Sequence, residues 1–391
     1  MLRTLPLFTS LCLMLLATSA PSAAAEEQAI SDAGKWTRLT YVEPNITRLD
    51  LAVRLYEPVD GGGPVVALVG AVHIADSTFY TSAQAMLDGM DLVLFEGVRG
   101  PEHDGIKPGT GEAMRLRTER RIGLIGAMSQ RYEQHTGVYP ESLGELTSHG
   151  QKLFDKTLTR MILASKVDAW GRPIQLELQD GKAVGLISHG ADGKAGGEAL
   201  DADIRIEFAD LNQASSPDLY GTISKALGLS SQADRVLTDQ PHWVNSDISW
   251  GELRKSFGDD NAVFNFLESV AFGDGENSKM FMEAIGGIIS ANATTRFFMK
   301  KMMLTTLGEG GNQIANLAGD EFERVIIQKR NQIVIEDLKQ VLKDRAGLES
   351  VGLFYGAGHM ADMQDRLVKQ LDYKPVSTLW LPAITVDARE E

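Results

Sequence analysis

Cysteine is almost absent from this chain, with one residue, Cys12, among 391. It lies in an apolar leader, Leu5 to Ala17, which follows Arg3 and leads to Ala23-Ala24-Ala25 and then Glu26-Glu27. A positive start, a short apolar stretch and an A-x-A site are the pattern of an export signal over residues 1–25. The apolar part is short for a bilayer span, and retention as a membrane anchor is the alternative. Cys12 has no small-residue lipoprotein context around it. Cleavage would remove the only cysteine, so the exported chain could form no disulfide and no thiolate metal site. Basic residues are also in deficit. Lys and Arg number 38 against 53 Asp and Glu, a formal charge of -15, and losing Arg3 brings it near −16. That balance argues against nucleic acid or anionic lipid as a main partner. Long apolar runs are missing after the leader. The best one, Ile285 to Leu307, is broken by Arg296, Lys300 and Lys301, so no stable membrane span is expected once the signal is gone. An exported protein, periplasmic or extracellular, is the expectation.

Histidine is scarce as well, with seven in the chain. Two of them end apolar runs behind the same Gly-x-x-His spacing. The runs are Val65 to His73 and Val351 to His359. Val65 to Gly70 is continuously apolar, as a central strand covered on both faces would be. A helix from about Phe79 to Gly89, capped by Asp76-Ser77-Thr78, and a second buried strand, Asp91 to Gly97, complete a βαβ unit. Near the other end come a strand at Val351 to Gly356, a helix at Met360 to Leu371 and a closing strand at Val376 to Leu381. Residues 26–48 read as polar surface, and Leu49 to Tyr56 as a half-buried strand. Helices are expected at 217–228, 249–257, 261–272, 278–307 and 318–345. The fold class is therefore α/β: a central mixed sheet with βαβ units from both ends of the chain and a helical middle. Residues 26–107 and 206–391 form the core, and 108–205 form a small inserted α+β module.

Ligands in open α/β sheets bind at the carboxyl ends of the strands. His73, Glu96 and His359 each end or follow a strand, and glycines three positions before the histidines would allow tight turns and leave room for a ligand. Two imidazoles and a carboxylate suit a catalytic divalent metal such as Mn, Co or Zn, whose bound water could attack a carbonyl. One of the three could instead act as a general base, and Glu96 could equally pair with a helix. Arg330, on a late helix, could hold an anion or a developing oxyanion.

Gly70-Ala71-Val72-His73, Asp91 to Glu96, Lys329-Arg330-Asn331 and Gly356-Ala357-Gly358-His359 resemble the TraB/TIKI (GumN-like) family over roughly residues 50–98 and 235–383. That family carries two Gly-x-x-His motifs, a strand-end Glu and an Arg-Asn pair on a late helix. The resemblance implies a divalent-metal-dependent peptidase, with His73, Glu96 and His359 at the metal and Arg330 and Asn331 supporting catalysis. Ala71 stands where the family often has Thr or Ser. Other branches are linked to peptide-pheromone shutdown.

The module has a different character. Ser188 to Gly193 and Gly196 to Ile204 crowd three aspartates among glycines. Oxygen ligands on a tightly turning backbone suit Ca²⁺, and a solvated acidic turn is the alternative. Gly137 to Leu143, Asp168-Ala169-Trp170-Gly171-Arg172-Pro173 and Ser188 to Ile204 resemble the globular part of type II secretion major pseudopilins. The resemblance implies a Ca²⁺ site on Asp192, Asp201 and Asp203, with backbone carbonyls and Ser188. Ala199 stands where the family often has Gly. Pseudopilins begin with a long apolar helix, whereas here Arg115, Arg117, Arg120 and Arg121 occupy the approach, so polymerisation by that route is not expected. The expectation is an exported metal-dependent hydrolase acting on a peptide or protein, with a calcium-binding insert near the mouth of its site. A secretion-system or cell-envelope partner is possible for the insert. The alternative is a non-catalytic binding protein, associated with type II secretion or sequestering peptides.

Overall fold

The computed structural model describes residues 34–99, 110–153, 165–209, 219–258, 292–308, 323–344 and 347–390, with a few isolated positions between them. The expected export signal and the expected helix at 261–272 lie outside the described residues.

The central sheet is built from both ends of the chain. Its strands are β1 (Thr37–Glu43), β2 (Ile46–Pro58), β3 (Val65–Ala71), β5 (Leu92–Phe95), β10 (Trp243–Asn245), β11 (Ser350–Gly356) and β12 (Tyr373–Asp387). β4 (Ile74–Ala75) pairs with β9 (Ser230–Ser231) in a short separate ladder. The order β3-β11-β5-β10 is parallel throughout. β11 therefore slots between the two strands of the first βαβ unit. β2 runs antiparallel beside β3, and β12 pairs along its whole length on the other edge. The sheet is thus mixed, and the fold is α/β.

Alternation along the parallel strands feeds two cores. Ala67, Val69 and Phe354 pack on one face with helix α1 (Ser77–Leu87). Val66, Leu68, Leu353 and Tyr355 pack on the other with the late helices. Covered on both faces, these strands read as continuous apolar runs. Each fully buried Val or Leu there contributes about 1.5–3 kcal/mol.

The insert has its own elements. They are helices α2 (Gly111–Thr136) and α3 (Leu143–Leu153) and the antiparallel sheet β6 (Gln175–Gln179), β7 (Lys182–Ser188) and β8 (Ile204–Glu207). Ile122, Ile125, Tyr132, Leu146, Leu186 and Ile204 form a core that shares no residue with those of the main sheet. It is anchored to the main body where Arg117 Nε and Arg121 Nε meet the Asp239 carboxylate, at 2.6 and 2.5 Å. Among the described residues, the remaining α-helices are α4 (Leu219–Leu227), α5 (Gln232–Arg235), α6 (Trp250–Phe257), α7 (Ala293–Gly308), α8 (Arg330–Asp344) and α9 (Met360–Leu371).

Several expectations shift. Thr37–Glu43 is a strand rather than loose surface, because it hairpins through Pro44-Asn45 onto β2. β12 runs well beyond Val376 to Leu381 because β2 supplies it with a partner along its whole length. Asp76 occupies the N-cap position of α1 without a side-chain cap, since its carboxylate accepts from Thr385 N at 2.9 Å. Between 318 and 345, a π-helical stretch, Glu323–Lys329, precedes α8.

Candidate active site

The register of β11 against β3 decides where the two Gly-x-x-His motifs go. Tyr355 lies opposite Gly70 and Gly356 opposite Ala71. Both motifs therefore leave the sheet side by side, at the carboxyl end of the parallel strands. Neither glycine has a positive φ. Their role is space rather than turning. A Cβ at Gly356 would stand 3.2 Å from Glu96 Oε2, and one at Gly70 3.3 Å from Ala52 O.

Glu96 follows β5, next to β11. Its Oε2 accepts from Gly356 N at 2.6 Å. Its Oε1 accepts from Arg330 Nη2 at 2.7 Å. Burial pushes the carboxyl up, but the Arg330 guanidinium, His359, the Gly356 N–H and His73 together hold it down at about 2. Glu96 is a carboxylate at any ordinary pH.

Arg330 opens α8 immediately after the π-helical stretch and is 6% exposed. Its other partner is Asp247, just beyond β10. Arg330 Nε donates to Asp247 Oδ1 at 2.9 Å and Nη2 to Oδ2 at 2.6 Å. Asp247 also accepts from Gly97 N at 2.9 Å and Ile248 N at 2.7 Å, and is 2% exposed. Burial alone would lower the guanidinium pKa, but the two carboxylates, Glu96 first, raise it, so Arg330 stays a cation. Asp247 was missed by the sequence reading. Its signal is a carboxylate just past a strand end, as at Glu96, but the strand before it is three residues long.

His359 closes a tight turn, Ala357–His359, and is 4% exposed. The neighbouring Asn331 orients it. Asn331 Nδ2 donates to His359 O at 2.9 Å and to Asp362 Oδ2 at 2.8 Å. Two acceptors on that nitrogen identify it as the amide NH₂, so Asn331 Oδ1 is an acceptor for His359 Nδ1 at 2.7 Å. Nδ1 therefore carries the proton, and Nε2 is left with a lone pair toward Arg330 Nη1, 3.4 Å away. Burial lowers the imidazole pKa, with Glu96 opposing and Arg330 assisting. His359 is a neutral base with a fixed tautomer.

His73 lies apart from this buried group. His73 is exposed, and its ring packs tilted against Tyr220, with centroids 4.5 Å apart. The structure brings Glu96, Arg330, Asn331 and His359 together in a buried network, with His73 at its outer edge.

The donor types suit a divalent transition metal, but their arrangement does not fit one. The Arg330 guanidinium lies where a cation held by Glu96 and His359 would sit. Glu96 Oε1 is 3.6 Å from His359 Nε2 across that guanidinium edge. Among the described residues, no three His, Cys, Asp or Glu side chains converge as metal ligands.

The acidic loop of the insert is organised differently. Ser188 Oγ donates to the buried Asp168 Oδ2 at 2.9 Å, which takes it away from the loop carboxylates. Asp203 Oδ1 contacts His189 Nδ1 at 2.9 Å, and its Oδ2 accepts from Gly196 N at 3.1 Å. Asp192 Oδ1 accepts from Lys194 N at 2.9 Å, and Asp192 and Asp201 are exposed. Arginines occupy several loop carbonyls. Arg172 donates to Gly190 O and Ala191 O, and Arg115 to Ala199 O and Ala202 O. Gly190 and Gly197 have φ of 56° and 83°, and a Cβ at either would stand 2.5 Å from Asp201 O. The loop is folded tightly on oxygen donors of the kind Ca²⁺ takes, but its three aspartates do not converge on one point.

No helix among the described residues is long and apolar enough to cross a membrane. No curated protein and no solved structure matches the chain. A family model described as Type II secretion system (T2SS), protein G, matches residues 107–207. The segment that leaves the core after Glu96 is thus a domain similar to the type II secretion protein G.

Proposed function

We propose that the α/β core is an exported hydrolase of TraB/TIKI type that cleaves peptides, and that it works through His359 as a general base. The observation that carries this reading is the fixed, neutral His359, with its Nε2 lone pair beside the Arg330–Glu96 pair at the carboxyl ends of four parallel strands. Water would give a proton to His359 Nε2 as its oxygen bonds to the peptide carbonyl carbon. Arg330 Nη1 and the His73 ring would face the carbonyl oxygen as it becomes an oxyanion. The C–N bond would then break as the proton passes from Nε2 to the leaving amine. Asn331 holds the tautomer, and Asp247 holds Arg330. No step is routed through a metal ion.

The test is a peptide-library cleavage assay on the full chain, with and without a chelator. Wild type is expected to cleave with the chelator present, and His359→Ala to lose about 10²–10⁴-fold in rate. Activity abolished by the chelator and restored by one divalent ion would return the site to the metal reading. No cleavage under any condition would end the hydrolase reading.

A second reading rests on the insert. Its likeness to the type II secretion protein G supports docking to secretion machinery in the cell envelope, with Asp192, Asp201 and Asp203 as a Ca²⁺ loop. Co-purification with a pseudopilin that depends on residues 107–207 tests the docking.

A further inference from the structure

Tyr220 belongs to neither resemblance, yet it meets the exposed side of the site. It lies in the first turn of α4, the first helix described after the insert, so the chain returning from the insert carries it. Its ring packs against His73 in a tilted arrangement, with centroids 4.5 Å apart and planes inclined by 31°. Tyr220 is 43% exposed.

The backbone beneath His73 is held firmly. Tyr80 OH donates to Val72 O at 2.8 Å, Gln232 N donates to His73 O at 2.8 Å, and Ile74 pairs with Ser231. His73 is two residues beyond Ala71, the lateral partner of Gly356, whose N–H holds Glu96. The ring pair therefore stands at the mouth of the buried network. It offers aromatic surface to solvent on a firm base, and such surface recruits apolar and aromatic groups.

We propose that Tyr220 is a specificity-determining residue of this site, which takes an aromatic or aliphatic side chain of a peptide substrate beside His73. This rests on the hydrolytic reading above. It also gives the insert a role: its entering limb leaves from Glu96, and its returning limb brings the wall that selects substrate.

The experiment uses the full chain and four fluorogenic peptides that differ at one position, Phe, Leu, Ser or Glu. Wild type should prefer Phe and Leu. Tyr220→Ala should raise KM for those two by about 2- to 12-fold, flattening the preference, while Tyr220→Phe keeps it. Thermal unfolding of both variants checks that they fold, as expected for a half-exposed side chain. Cleavage by wild type with the same preference in a folded Tyr220→Ala overturns this inference and leaves the hydrolytic reading standing. Equal loss in Tyr220→Phe and Tyr220→Ala overturns it too, because the ring would then not be the selecting group. If wild type cleaves none of the peptides, the hydrolytic reading falls and this inference falls with it.

Discussion

The core site and the acidic loop of the insert use the same residue types to opposite ends. In the core, an arginine sits on carboxylates that are buried or nearly so. Arg330 bridges Glu96 and Asp247, with side chains 7%, 13% and 0% exposed. In the insert, Arg172 and Arg115 sit on backbone carbonyls, while Asp192 and Asp201 face solvent. Burial makes the difference. A carboxylate removed from water must have a counter-charge within hydrogen-bond reach, so the core cluster is closed on itself. An exposed carboxylate has water and needs no counter-charge, so Asp192 and Asp201 can stand without one.

That contrast can be broken most directly at Asp247. Replacing it with Ala leaves Arg330 with half its counter-charge in a dry site. Asp247→Ala is expected to cost about 3–5 kcal/mol in urea unfolding. Asp192→Ala, by the same measurement without added cation, should stay within about 0.5 kcal/mol. Equal losses in the two variants would erase the distinction between the regions.

Next in size is Arg172→Ala, which removes charge-assisted donors from Gly190 O and Ala191 O. A loss of about 1.5–3 kcal/mol is expected, together with faster amide exchange across 190–203. A loss with no change in exchange would place the effect elsewhere.

The pH dependence should belong to the core. The folded-state pKa of His359 is lowered from 6.5, so its contribution is present above about 6.5 and fades as pH falls. Glu96 is lowered from 4.5 to about 2, so its contribution is present above about 4.5 and is lost as pH falls toward 2. Melting temperature should therefore drop in two stages on acidification. His359→Gln should remove the upper stage alone, and retention of that stage would contradict the buried neutral imidazole.

The smallest expected effect sharpens the loop side. Millimolar Ca²⁺ should raise the unfolding temperature of the insert by a few degrees, and Asp192→Ala should abolish the rise. No rise in the wild type would leave the loop a solvated acidic turn.

Much of this was legible in the residues. Continuous apolar runs at Val65 to Gly70 and Val351 to Gly356 identify central strands. Met360 to Leu371 reads as a helix and is one. The motifs of the insert resemble a pseudopilin, and the family model for the type II secretion protein G matches residues 107–207. Other features were not legible. β1 has too little apolar content to stand out, and it becomes a strand only because β2 accepts it. β10 is too short to show a period, so Asp247 went unnoticed.

Local order, such as strand against helix, follows from the spacing of apolar residues, because that spacing dictates which faces can be buried. The same spacing already marks His73, Glu96 and His359 as strand-end residues. The partners of those ends are a matter of tertiary structure. Insertion of β11 between β3 and β5 sets Gly356 N on Glu96, and the docking of α8 places Arg330 between Glu96 and His359 while Asn331 fixes the imidazole tautomer. The contacts to Glu96 join residues more than two hundred positions apart, and no local pattern encodes the burial that makes a guanidinium the counter-charge at this site.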